Sequence, residues 1–202
     1  MTPAAKTKKK SATPFKTKHK VNAFGVVDDL KSLGKISQTL KDQGLKVVLT
    51  QGVFDLVHEG HAKYLELAKS LGDVLIVGLD SDEFTRKRKG PNRPIVPQEE
   101  RINMLLHLRH VDLVSIRELH HGIGDTIRAV RPNILVTSSS TGDFTEEMKR
   151  EYEGICGEIV TFAPQATTST TARIRNLTIE GAEKLAAEVQ RLIQDFLRNI
   201  RN

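Results

Sequence analysis

His58 and His61 flank Gly60 in the run Gln51-Gly52-Val53-Phe54-Asp55-Leu56-Val57-His58-Glu59-Gly60-His61, directly after the apolar stretch Val47-Val48-Leu49-Thr50. A buried strand, a glycine-containing turn and a helix opened by two histidines make a receptor for an anion. The first turn of a helix has backbone N–H groups without helical partners and the positive end of the helix dipole, and both suit phosphate. Gly52 and Gly60 allow backbone or ligand to approach closely. The two imidazoles can donate to one anion, and imidazole charge responds near neutral pH. Zinc is the competing chemistry, but no third ligand stands at metal spacing and Cys156 is alone. The adjacent pair His120-His121 diverges on any regular element and reads as loop. The sequence contains no recognisable Ser–His–Asp or Cys–His arrangement, so the chemistry on offer is charge neutralisation and positioning, as phosphoryl transfer requires.

The elements that would position this turn follow from hydrophobic period. Val27, Leu30, Leu33, Ile36 and Leu40 recur at helical spacing and end near Gly44. A second helix is predicted from about His58 to Leu71, carrying Ala62, Leu65, Leu67 and Ala68. The run Asp73 to Leu79 is continuously apolar after its first residue, the mark of a strand covered on both faces. Further strands are expected at 111–116, 133–137 and 157–162, with helical segments near 122–130 and 144–154. The basic, proline-containing stretch Arg86 to Pro97 reads as a loop. A helix begins near Pro97, where Glu99 and Glu100 suit a positive N-terminus. Strands alternating with helices predict an α/β fold, a doubly wound parallel sheet with helices on both faces. Such sheets take ligands at the carboxyl ends of their strands, where strand order reverses.

Charge divides the chain. The formal net charge is +6, yet residues 1–20 hold seven lysines (Lys6, Lys8, Lys9, Lys10, Lys16, Lys18, Lys20) and no acid. The remaining residues are therefore close to neutral, and the basic character belongs to a leader with Phe15 as its one large apolar residue beyond Met1. We read 1–20 as a disordered leader suited to a polyanion, 21–178 as the globular domain, and 179–202 as a C-terminal amphipathic helix. Leu185, Val189, Leu192, Ile193, Phe196 and Ile200 line one face of that helix, which fits packing on its own domain or self-association into a homo-oligomer. No apolar run approaches the roughly 20 residues of a membrane span. A single cysteine excludes an internal disulfide framework and fits a reducing, cytoplasmic setting.

The segment GVFDLVHEGH resembles the GxFDxxHxGH signature of the cytidylyltransferase-like nucleotidyltransferase superfamily. The likeness continues through Lys89-Gly90-Pro91-Asn92-Arg93-Pro94, Glu100-Arg101 and Ser169-Thr170-Thr171, in order over residues 27–178. Within that superfamily the chain is most similar to adenylyltransferase domains that make ADP-heptose from heptose 1-phosphate, through KVVLTQGVFD, KGPNRPIVPQEER and the GEIV before the last motif. It departs from them at Gln51 and Val53 (TQGVFD for TNGCFD), at Val136 to Phe144 (VTSSSTGDF for VKGGDY), and in Ala166-Thr167-Thr168, which lacks the usual glycine. The first two departures bear on the base or acceptor pocket.

The resemblance implies attack of a phosphomonoester oxygen on the α-phosphorus of an NTP, with ATP favoured, release of pyrophosphate, and magnesium accompanying the nucleotide. It implies that His58, His61 and Lys89 act on the reacting phosphates. Gly52, Val53, Phe54, Asp55, Gly60, Arg101, Ser169, Thr170 and Thr171 would bind nucleotide, with Asp55 fixing the turn or joining a magnesium or hydrogen-bond network. Asp82 would cap a helix or touch ligand. The acceptor is a small phosphorylated molecule, a sugar phosphate first. CMP transfer from CTP to glycerol 3-phosphate or phosphoethanolamine is the alternative, and a non-catalytic nucleotide-binding protein is the alternative of another class.

Overall fold

The computed structural model describes residues 25–139, 144–165 and 170–201, without the side chains of 170–176 and 194–201. The leader 1–20, Ser140 to Asp143, Ala166 to Thr168 and Ser169 lie outside the described residues.

Chain order is α1 (Leu30–Asp42), β1 (Val47–Gly52), α2 (Glu59–Ser70), β2 (Val74–Asp80), α3 (Asp82–Lys89), α4 (Gln98–Leu106), β3 (Leu113–Arg117), α5 (Asp125–Val130), β4 (Ile134–Ser138), α6 (Glu146–Glu153), β5 (Glu158–Phe162) and α7 (Thr170–Arg201). Among the described residues the strands form one parallel sheet in the order β3-β2-β1-β4-β5. This is the doubly wound α/β architecture that the strand–helix alternation predicts. The order reverses between β1 and β4, so the loops leaving those two strands flank the crevice where such folds hold ligands.

Both faces of the sheet are covered, which is why its central strands read as unbroken apolar runs. Val48, Leu75, Val77, Leu79, Val114 and Val136 pack under α2 and α4 with Leu65 and Leu105. Val47, Leu49, Ile76 and Leu135 pack under α1, α5 and α6 with Leu33, Ile127, Val130 and Tyr152. Cys156 is buried in this second layer, and burial pushes its thiol up to about 11.

Local signals account for most boundaries. Asp29 caps α1 by accepting from the Ser32 N–H, and Gly44, at φ +81°, takes the left-handed position that lets the chain leave it. One difference from the sequence reading stands out. Arg86 to Lys89 are helical, not loop: Ser81 caps α3 by accepting from Phe84 N–H at 3.1 Å, and the connecting loop begins only at Gly90. Acids in the first turn and four cations in the last match the dipole of this short helix, although only Phe84 and Thr85 are buried. At the other end of the chain, α7 starts at Thr170 and runs through residue 179 without a break. Leu177, Ile179, Leu185, Val189, Leu192 and Ile193 are all exposed on it. No helix among the described residues is long and apolar enough to cross a membrane.

Candidate functional site

The site forms where β1 ends beside β4. Gly52 closes the strand because the Phe54 ring folds back over it; a Cβ there would lie 3.1 Å from Phe54 Cε2. Phe54 and Leu56 both take left-handed backbone conformations, at φ 48° and 46°. Each costs on the order of 1 kcal/mol for a residue with a side chain, and such strain persists only where neighbours over-determine it. Those neighbours are specific. Asp55, between the two, is buried, and its carboxylate accepts from Val96 N–H (2.9 Å), Ile95 N–H (2.9 Å) and Arg93 Nη1 (2.6 Å). Phe54 is buried with its ring 5.6 Å from that of His61.

His58 is the N-cap of α2 and His61 its third residue, joined as a capping box. His58 Nδ1 accepts from Gly60 N–H at 3.1 Å, and His61 Nδ1 accepts from His58 N–H at 3.3 Å. With both Nδ1 lone pairs committed, each ring carries its proton on Nε2, and the ring centroids lie 4.1 Å apart. Burial, then the neighbouring His58, lowers the His61 pKa to about 4, with Asp55 opposing. The expectation of an imidazole that titrates near neutrality is thus corrected for His61. Near neutral pH its ring is uncharged, because protonation would have to be borne in a buried setting beside His58 and would remove the Nδ1 lone pair that caps the helix.

The floor of the crevice is tied across the strand reversal by a residue that the motifs did not flag. Tyr64, three positions beyond His61 on α2, shares a 2.7 Å hydrogen bond with buried Thr50 Oγ1 on β1 and donates to Val136 O on β4 at 3.3 Å. Burial raises its pKa to about 12, so it remains a hydroxyl. Its i+3 relation to His61 is a signal the sequence carried.

The remaining site residues fall into different settings. Lys89 is exposed as the last residue of α3 and leads into the segment 90–97, whose far end is bonded to Asp55. Arg101 is 1% exposed and donates to four protein acceptors: Val96 O from Nε (2.9 Å), Val53 O and Asp80 O from Nη1 (2.6 and 2.9 Å), and Asp82 Oδ1 from Nη2 (2.7 Å). Asp82 is therefore the first residue of α3 and the partner of Arg101, while Ser81 does the capping. At the end of β2, buried Asp80 pairs with Arg117 at 2.8 Å and with Arg88, and both guanidinium groups lie about the Phe84 ring. Thr170 and Thr171 open α7, their side chains outside the described set, as is Ser169. His120 and His121 lie in the loop after β3.

Among the described residues no three His, Cys, Asp or Glu side chains gather as a metal site. Asp55, the carboxylate of the turn after β1, points its oxygens at Arg93 and at the amides of Ile95 and Val96. The residues at hand do not build a protein cage for magnesium.

Comparison with known proteins agrees with this geometry. The chain is 35% identical over 147 residues to the bifunctional protein HldE of Desulfatibacillum aliphaticivorans, covering 72% of this chain and 29% of that protein. It is 38% identical over 160 residues to HldE of Aliarcobacter butzleri, covering 78% and 33%. The chain thus spans about a third of the length of these relatives. Among solved structures, the lipopolysaccharide core biosynthesis protein from Thermoplasma volcanium is 27% identical, with a TM-score of 0.52 over 60% of this chain and 98% of that one. Pantoate-β-alanine ligase from Francisella tularensis shares the fold at 19% identity, with a TM-score of 0.55 over 80% and 77%. The cytidylyltransferase-like family matches residues 49–176, from the last residues of the apolar part of β1 into the start of α7. With the GVFDLVHEGH turn at the strand reversal and paired histidine donors on α2, the chain belongs to the cytidylyltransferase-like family of nucleotidyltransferases.

Proposed function

We propose that the chain transfers AMP from ATP to a sugar phosphate, heptose 1-phosphate first. The observation that carries this reading is the pair of Nε2 donors on His58 and His61, held side by side at the helix N-terminus where strand order reverses. An oxygen of the acceptor phosphate attacks the α-phosphorus, the bond from that phosphorus to the bridging oxygen of the β-phosphate breaks, and pyrophosphate leaves. The attacking phosphate is already anionic near neutral pH, so no general base is required. The two imidazoles donate to oxygens whose charge grows as the phosphoryl group transfers, and they do so from fixed positions, which is where such donors are most effective. Lys89, from the end of α3, and the N-terminus of α7 with Ser169, Thr170 and Thr171 complete the phosphate contacts. Magnesium accompanying the triphosphate would supply charge neutralisation there, with no cluster of carboxylates among the described residues gathered to hold it.

The sugar-phosphate acceptor is supported by the motif likeness to ADP-heptose-forming adenylyltransferase domains and by similarity to HldE proteins and a lipopolysaccharide core biosynthesis protein. The exposed apolar residues of α7 support self-association as the assembly mode. A pyrophosphate-release panel tests the reaction: ATP and CTP, each with heptose 1-phosphate, glycerol 3-phosphate, phosphoethanolamine and FMN. ATP with heptose 1-phosphate should give the highest kcat/KM. Turnover with CTP and a phospho-alcohol alone would move the assignment to a cytidylyltransferase, and no turnover with any pair would overturn it.

A further inference from the structure

Four of the five donors on the Arg101 guanidinium are committed inside the protein, and the residue is almost wholly buried. A clamp on a phosphate needs two parallel donors facing the ligand. Arg101 has at most one left. Its acceptors, by contrast, belong to four separate segments: Val53 O on the turn after β1, Asp80 O at the end of β2, Asp82 at the start of α3, and Val96 O at the end of the 90–97 loop.

Two of these contacts close a ring. Arg101 holds the carbonyls of Val53 and Val96, while Asp55, two residues after Val53, accepts from the Val96 and Ile95 amides and from Arg93. The ring encloses Phe54, the first of the two strained residues, and the strained stretch ends two residues before His58. Phe54 in turn lies against the His61 ring.

We propose that Arg101 is a positioning residue: with Asp55 it welds the nucleotide turn to the 93–96 segment and thereby fixes where His58 and His61 place their Nε2 donors. The inference rests on the nucleotidyltransferase reading of the site but assigns Arg101 a different task from phosphate contact. Lysine cannot replace it, because a compact ammonium does not span four acceptors set around a planar fork.

The test pairs Arg101→Lys with Arg101→Met in the full chain and reads kcat, nucleotide affinity by titration with ATP and magnesium, and the side-chain ¹⁵N signals of His58 and His61. Positioning predicts that both variants lose kcat by about 100-fold, the scale of an ångström-level misplacement. It also predicts nucleotide affinity within about threefold of the parent and histidine signals displaced from the Nε2–H tautomer pattern. An Arg101→Lys variant that keeps its kcat, or nucleotide affinity falling tenfold or more with unmoved histidine signals, would make Arg101 a phosphate ligand and overturn the proposal. A lowered melting temperature with kcat and histidine signals intact would reduce it to a scaffold residue and overturn it equally. Should the Arg101 variants fail to fold, Asp55→Asn cuts the same ring from the other side and must displace the same signals. Because the histidine spectrum needs no substrate, it tests positioning even if the substrate panel finds no turnover.

Discussion

His58 and His61 commit their Nδ1 lone pairs to the first turn of α2, and each ring is left with a single N–H to offer. Two consequences can be measured. His61→Ala should lower pyrophosphate release by at least about 100-fold, the scale for losing one preorganised donor to developing charge. Normal release by a folded variant would remove His61 from the chemistry. The second concerns stability. His61 has a folded pKa of about 4 against 6.5 for the free side chain, so between those values the unfolded chain binds a proton that the folded one refuses. Stability should therefore decline as pH falls from about 6.5 to about 4, and His61→Gln should flatten the melting temperature over that window. At this scale the strand–turn–helix junction that carries the two histidines, Gly52 and Asp55 was legible in the sequence, because residue type and spacing specify such a turn. The burial of Arg101 among protein acceptors was not legible. Nothing local reveals that α4 turns its guanidinium inward, since its four acceptors lie between 5 and 48 positions away.

Elements divide by how much of their surface meets the core. The central strands β1 and β2 could be read directly, because burial on both faces leaves their apolar runs Val47–Leu49 and Val74–Leu79 unbroken. Helix α3 could not be read from hydrophobic period: two turns with Phe84 and Thr85 inward give no pattern, and its charges resemble a loop. The signal available was Ser81-Asp82-Glu83, a cap followed by first-turn acids. Ser81→Ala should accordingly cost about 1 kcal/mol of stability, read as a lower denaturant midpoint at unchanged slope. An unchanged midpoint would mean the cap contributes nothing. Because α3 ends at Lys89, loosening it should also weaken nucleotide binding more than a typical surface change.

The whole molecule shows why net charge is a poor guide and its location a good one. The +6 concentrates in residues 1–20, outside the described part, while the sheet and its site come from a nearly neutral body. We expect removal of the leader to leave turnover on a small acceptor unchanged and to lower affinity for polyanions. The other end is a long helix whose apolar side chains at 185–193 are exposed. If they join copies of the chain, truncation after residue 178 should convert an oligomer to a folded monomer by size-exclusion chromatography with light scattering. An unchanged oligomer would exclude that role. The amphipathic pattern was plain in the sequence, and the Ser169-Thr170-Thr171 run marked a helix start where α7 begins at Thr170, although Thr170 to Asn176 hold a single large apolar residue, Ile174.

The chain contains no tryptophan and two tyrosines, one of which is Tyr64 with its hydroxyl bridging Thr50 and Val136 where β1 meets β4. The other, Tyr152, lies beneath the opposite face of the sheet, stacked near Phe144. Excited at the phenol band, the protein therefore carries its own optical gauge at the crevice. In a Tyr152→Phe background all tyrosine emission would come from the Tyr64 phenol, and a change in that emission on adding nucleotide would report occupancy of the crevice without a dye, a label or knowledge of the acceptor.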